Sequence, residues 1–99
     1  MRWCRIELPT ESQLAAIGVR GERILVARAE DRWYAVEDRC SHAGCAFSTD
    51  GELDGTNVIC NCHGSEFDLR TGEVLVPPAF DPIRTFRVRV TDGRLEVEL

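Results

Sequence analysis

Residues 40–65 read CSHAGCAFSTDGELDGTNVICNCHGS, and the reading of this stretch decides how the rest of the chain is organised. It opens on Cys40-Ser41-His42 and ends on Cys60-Asn61-Cys62-His63 and two further residues, with seventeen residues (43–59) between His42 and Cys60. Both histidines of the chain and four of its five cysteines lie inside it. Cysteine and histidine in two separated short boxes point to metal ligation more than to a disulfide scaffold. Each box offers one sulfur and one nitrogen from Cys40, His42, Cys60 and His63. Two such loops can hold a [2Fe-2S] cluster with one iron on thiolates and the other on imidazoles. The same donors also satisfy a structural tetrahedral zinc, and colour separates the two, an iron-sulfur protein being brown-red and a zinc protein colourless. Gly44 and Gly64 follow the histidines closely; lacking Cβ atoms, they let backbone amides approach bridging sulfides, and both also suit plain turns.

Outside this stretch, alternation dominates and helical periodicity is nearly absent. In Trp3 to Leu8, Cys4, Ile6 and Leu8 share one face and Arg5 and Glu7 the other, as in a half-buried strand. Residues 23–29 and 32–37 are rich in Ile, Val, Trp and Tyr and straddle Glu30-Asp31, so they read as two antiparallel strands. Asp92-Gly93 is preferred chemistry for a two-residue hairpin turn. Its register faces Thr91 with Arg94, Val90 with Leu95, Arg89 with Glu96, Val88 with Val97 and Arg87 with Glu98, matching apolar with apolar and opposite charges with each other. Asp50-Gly51 and Asp54-Gly55 signal turns, and Glu11 to Ala16 suggests the one helical turn. The expectation is an all-β fold, a single domain over residues 1–99, with a metal-binding subdomain of about residues 38–70 inserted into an antiparallel framework.

Ninety-nine residues leave no room for a second catalytic domain. A net charge of −5 argues against nucleic acid and anionic membrane as partners and permits attraction to a basic redox protein. The start, MRWCRIELPT, carries Arg5 and Pro9 where a secretory signal has an apolar core, and the longest apolar stretch, Val74 to Phe80, is interrupted by two prolines. A cytoplasmic monomer is expected.

CSHAGC and CNCHGS resemble the two cluster-binding boxes of Rieske proteins, and the resemblance runs from Tyr34 through Phe67-Asp68 to Pro77-Pro78-Ala79, about half the chain. It implies a Rieske-like β sandwich or barrel carrying the inserted subdomain. It also implies that Cys40 and Cys60 bind the inner iron while His42 and His63 bind the outer iron near the surface, where electrons enter and leave. Once those ligands share a cluster, Cys45 and Cys62 are carried on facing loops and are expected to form a disulfide. That extra pair resembles the high-potential respiratory type, as does Ser65, whose hydroxyl is expected to donate to a bridging sulfide. Phe67 departs from that pattern, because the respiratory proteins carry a tyrosine there. Pro77 and Pro78 resemble the loop that shields the cluster.

By this resemblance the chain is a Rieske-type ferredoxin carrying single electrons from a reductase to an oxygenase or other terminal oxidoreductase, and not an enzyme by itself. Two alternatives stand beside it: the iron-sulfur subunit of a respiratory or molybdenum-type oxidase, and a redox sensor controlled by the cluster or the disulfide.

Overall fold

The computed structural model describes residues 3–6, 13–41 and 44–99. Its elements, in chain order, are β1 (Trp3–Ile6), β2 (Leu14–Val19), β3 (Glu22–Ala29), β4 (Arg32–Glu37), α1 (Phe47–Asp50), β5 (Gly51–Asp54), β6 (Asn57–Cys60), β7 (Ser65–Asp68), β8 (Val74–Val76), β9 (Thr85–Phe86), β10 (Val88–Thr91) and β11 (Arg94–Glu98). All described sheet pairings are antiparallel, so the expected all-β class holds.

Ile24, Leu25, Val26 and Ala27 form an unbroken apolar run in β3, and all four are fully buried. Side chains alternate across a strand, so such a run needs cover on both faces. Ile24 and Val26 pack with Ala35, Leu95 and Val97 in one core, while Leu25 and Ala27 join Val36, Phe47, Val58 and Phe67 in another. The sheet β2-β3-β4-β9 is thus a plate between two partners: the base sheet β1-β11-β10 and the box-bearing sheet β5-β6-β7-β8. Strands β9 and β10 are separated by Arg87 alone, so one extended segment leaves the plate and joins the base sheet.

The C-terminal hairpin has the register its sequence predicts, from Val88↔Val97 to Thr91↔Arg94. Asp92 and Gly93 both take positive φ, 53° and 75°, as the two-residue turn demands. On the outer face Arg89 Nε lies 2.8 Å from Glu96 Oε1, and the Arg89 guanidinium stacks 4.1 Å above the Trp3 ring. Glu30 and Asp31 form a second positive-φ turn between β3 and β4.

One local expectation changes, and two others gain detail. The helical turn expected at Glu11 to Ala16 is strand from Leu14 onward, because β2 pairs residue for residue with β3 (Leu14↔Ala27 to Val19↔Glu22) and ladder hydrogen bonds outweigh the weak local preference of alanine; Glu11 and Ser12 lie outside the described residues. The N-terminal strand is described over Trp3–Ile6, and Glu7 and Leu8 lie outside the described residues. Asp50 ends the single turn α1 and Gly51 opens β5, while Asp54-Gly55 opens the β5–β6 turn, which centres on Gly55-Thr56.

Two carboxylates respond to acid. The Arg70 guanidinium hydrogen-bonds Asp68 (Nε to Oδ1 and Nη2 to Oδ2, each 3.1 Å) and holds that carboxyl below the usual carboxylate range. The Arg89 side chain does the same for Glu96. Both groups titrate lower in the folded chain than in the unfolded one, so their contribution is fully present above the unfolded values of roughly 4 and drains as pH falls through the lower folded values. Urea unfolding midpoints are therefore expected to be flat from pH 7 to about 5 and to fall below about 4. Asp68→Asn should lower the midpoint at pH 7 and flatten the acid limb; an acid limb as steep as wild type would refute the assignment.

Candidate metal centre

The first box is the loop that follows β4, and hydrogen bonds close it at both ends. The Cys40 N–H donates to the Cys45 carbonyl (2.8 Å) and the Gly44 N–H to the Cys40 carbonyl (2.9 Å). The second box is the turn between β6 and β7, where Cys60 pairs with Ser65 and the Gly64 N–H donates to the Cys60 carbonyl (2.8 Å). Gly44 and Gly64 sit at φ +74° and +82°, where a Cβ is strained. Their amides donate to the carbonyls that close these turns, which fits the turn reading of both glycines. The Cys62 and His63 N–H groups are directed at the Cys60 sulfur.

Cys40 and Cys60 are each 1 % exposed and not disulfide-bonded, and they lie in the core shared by Phe47, Val58 and Phe67. Burial pushes the Cys60 thiol up; the Cys62 N–H pulls it back, the adjoining Cys40 side chain pushes it up again, and the His63 N–H offsets part of that. Two buried thiols side by side, one of them met by amide donors, form a soft donor pair suited to iron. The Sγ atoms of Cys45, Cys60 and Cys62 lie within 4.8 Å of one another. Cys45 and Cys62 bond to each other, with S–S 2.08 Å and Cα–Cα 6.7 Å, so within that trio only Cys60 keeps a thiol to donate. The disulfide ties the end of the first box to the second, beside the ligand position. His63 is exposed next to Cys62. His42 lies outside the described residues.

The framework around the boxes includes residues whose roles the sequence does not announce. The Asp38 side chain is fully buried and accepts from Arg23 Nε (2.8 Å), from the Ser48 N–H (2.9 Å) and from Ser48 Oγ (2.6 Å). One carboxylate therefore joins the residue two before Cys40 to the residue three past Cys45 and to β3, fixing both ends of the first loop. Its only sequence signal is an acid that follows Glu37 beside the box, which is indistinguishable from a surface aspartate. Ser41 Oγ donates to the Asp81 carbonyl (2.6 Å). Ser65 is fully buried, and its Oγ accepts from the Ala79 N–H (3.1 Å), which leaves the hydroxyl hydrogen for a second partner. Phe67 is fully buried and meets Phe47 edge-on, with ring centroids 5.6 Å apart and planes at 78°. Pro77 and Pro78 begin the segment between β8 and β9, with Pro77 exposed and Pro78 half-buried. A groove of about 720 Å³ lined by Arg20, Arg84, Phe86 and Leu99 among others includes no box residue, so it is separate from this chemistry.

Residues 4–87, which include both boxes and their framework, match the Rieske [2Fe-2S] domain. The chain belongs to the Rieske family. It is 36% identical over 95 residues to the ferredoxin component of the p-cumate 2,3-dioxygenase system of Pseudomonas putida, covering 96% of this chain and 72% of that protein. It is 34% identical to sulredoxin of Sulfurisphaera tokodaii, covering 90% of this chain and 88% of that one. Among solved structures it is similar to a chain of the complex of reduced oxygenase and oxidized ferredoxin in carbazole 1,9a-dioxygenase, with TM-score 0.86, 30% identity, and coverage of 96% of this chain and 91% of the other. The cofactor of this Rieske domain is one [2Fe-2S] cluster.

The disulfide staples a Rieske site whose first loop follows β4 of the plate and whose second joins β6 to β7. Closing a loop over a sequence separation of 17 is worth about 3 kcal/mol by the chain-entropy relation. Cys45→Ser/Cys62→Ser is expected to lose about that much in guanidinium unfolding of the cluster-loaded protein. A loss below about 0.5 kcal/mol would show that the cluster alone holds the loops together.

Proposed function

We propose that this chain is a Rieske-type ferredoxin that carries single electrons from a reductase to a terminal oxidoreductase, an oxygenase in the first place, and that it works in the cytoplasm. Residues 1–99 form its one domain, and residues of about 38–70 form the cluster-binding part. The observation that carries this reading is the pair of buried thiols, Cys40 and Cys60, brought together behind the exposed loop of His63. Inner ligands shielded by the core and an outer ligand at the surface suit exchange of electrons with another protein.

Cys40 and Cys60 would hold one iron, and His42 and His63 the other. When bound, the cluster supplies a one-electron reservoir whose mixed ligation sets the potential at roughly −150 to +300 mV. The chain's own residues do the rest. The Cys62 and His63 amides stabilise negative charge on the Cys60 sulfur. Ser65, already anchored by the Ala79 N–H, has its hydroxyl hydrogen to give to a sulfide. The segment from Pro77 to Ala79, tied to Ser65, keeps water from that side. The names of the relatives support an oxygenase as acceptor. The Cys45–Cys62 disulfide favours a second reading, a subunit of a larger oxidase, which stable co-purification with a catalytic subunit would support.

The purified protein is expected to be brown-red, with about two irons and two labile sulfides per chain and the electron paramagnetic resonance signal of a mixed-ligand cluster when reduced. One zinc per chain in their place would overturn the reading. In protein-film voltammetry Ser65→Ala is expected to lower the potential, because a donor to the cluster is lost. Phe67→Tyr is expected to raise it, by restoring the hydroxyl that the respiratory pattern carries. An unchanged or lower potential in Phe67→Tyr would sink the second expectation; in that case the buried contact with Phe47 keeps the new hydroxyl from the sulfur.

A further inference from the structure

Between β8 and β9 the chain is tied down at every second residue. The Ala79 N–H donates to Ser65 Oγ (3.1 Å), the Asp81 carbonyl accepts from Ser41 Oγ (2.6 Å), and the Ile83 N–H donates to the Gly72 carbonyl (2.9 Å). Ala79 and Ile83 are buried, while Phe80 and Pro82 between the ties face out. Phe80 is 88 % exposed, the most open large apolar side chain among the described residues. Leu75 and Val76 of the preceding β8 are also exposed, so three of the four exposed large apolar side chains among the described residues fall within 75–80.

The two serines that flank Phe80 through its neighbours are box residues. Ser41 directly precedes His42, and Ser65 follows His63 by two positions. Phe80 therefore sits between two residues that are hydrogen-bonded to serines of the two boxes. Packing does not explain so open a phenylalanine, and an apolar patch beside a redox centre carries an aggregation risk unless it is covered in use. An aromatic on a backbone already fixed by hydrogen bonds loses little entropy on binding, which is the character of an interface anchor.

We propose that Phe80 is the aromatic anchor by which this chain docks on the electron-entry surface of its terminal oxidoreductase, seated in an apolar pocket with a basic rim. The inference rests on the carrier reading above. A protein that takes electrons at the box loops meets the exposed residue pinned between the Ser41 and Ser65 ties. The basic rim follows from the net charge of −5 and from the exposed Asp81 beside Phe80.

Cluster-loaded wild type, Phe80→Ala and Phe80→Trp are to be compared against the terminal oxygenase of carbazole 1,9a-dioxygenase, by biolayer interferometry for Kd and by stopped flow for the second-order rate of electron delivery. Phe80→Ala is expected to raise Kd and lower the rate by about tenfold, and Phe80→Trp to restore most of both. The visible spectrum, the potential and the rate with ferricenium, a small oxidant that needs no docking surface, are expected to be unchanged in both variants. If wild type delivers electrons and Phe80→Ala stays within twofold of it, the anchor is overturned and the carrier stands. A shifted potential or a slower ferricenium reaction in Phe80→Ala also overturns it, because the residue then acts on the cluster. Slowed reduction by a reductase with normal delivery to the oxygenase overturns the choice of occupant. If wild type delivers no electrons, the oxygenase-carrier reading fails and the anchor with it.

Discussion

The double burial of the plate formed by β3 and β4 is the constraint on which the rest depends. Leu25, Ala27 and Val36 offer one apolar face, and Val58, Phe67 and the two buried cysteines settle against it. Ile24, Val26 and Ala35 offer the other face, which the C-terminal hairpin covers. Each buried aliphatic side chain is worth about 1.5–3 kcal/mol, and β3 commits its contribution to both layers at once. Neither layer can be lost without exposing one side of the same strand. The loops that carry the boxes are thus mounted on the most enclosed part of the molecule, which suits a site that must hold its donors still.

The box loops are positioned mainly by polar contacts around that apolar mount. Asp38 fixes the ends of the first loop, the disulfide joins it to the second, and two serine hydroxyls hold the segment that passes over both. Hydrogen bonds to a buried carboxylate are among the stronger kind, and Asp38 receives three of them. Rigidity of this sort limits the rearrangement that accompanies a change of charge. It also presents the surface around His63 in one shape to whatever protein approaches it.

Shared features with Rieske ferredoxins of dioxygenase systems extend over nearly the whole chain. Ser65 and the disulfide resemble the high-potential members, and Phe67 does not. The structure gives Phe67 a packing role: it fills the space beneath the second box and meets Phe47 edge-on. A residue that contributes to the core in this way constrains how far hydrogen bonding near the cluster can be altered without repacking the site.

Sequence alone determined whatever depends on neighbours in the chain. The C-terminal hairpin was legible because Asp92-Gly93 sets a turn and alternation then fixes the register. The two boxes were legible because metal ligation demands particular side chains at short spacings. The Cys45–Cys62 pairing followed from those boxes facing one another. Tertiary structure decided what depends on distant partners. Leu14 to Ala16 became strand because β3 lies beside them. Asp38, a plain acid in the sequence, became the fastener of the first loop because β3 brings Arg23 to it. Gly44 and Gly64 close their turns on the Cys40 and Cys60 carbonyls, and Cys62 and His63 direct their amides at the Cys60 sulfur, because each loop folds back on its own first residue. Phe80 stands open because the residues on either side of it are bound to serines in two different boxes, a relation between positions far apart in sequence that only the folded chain brings about.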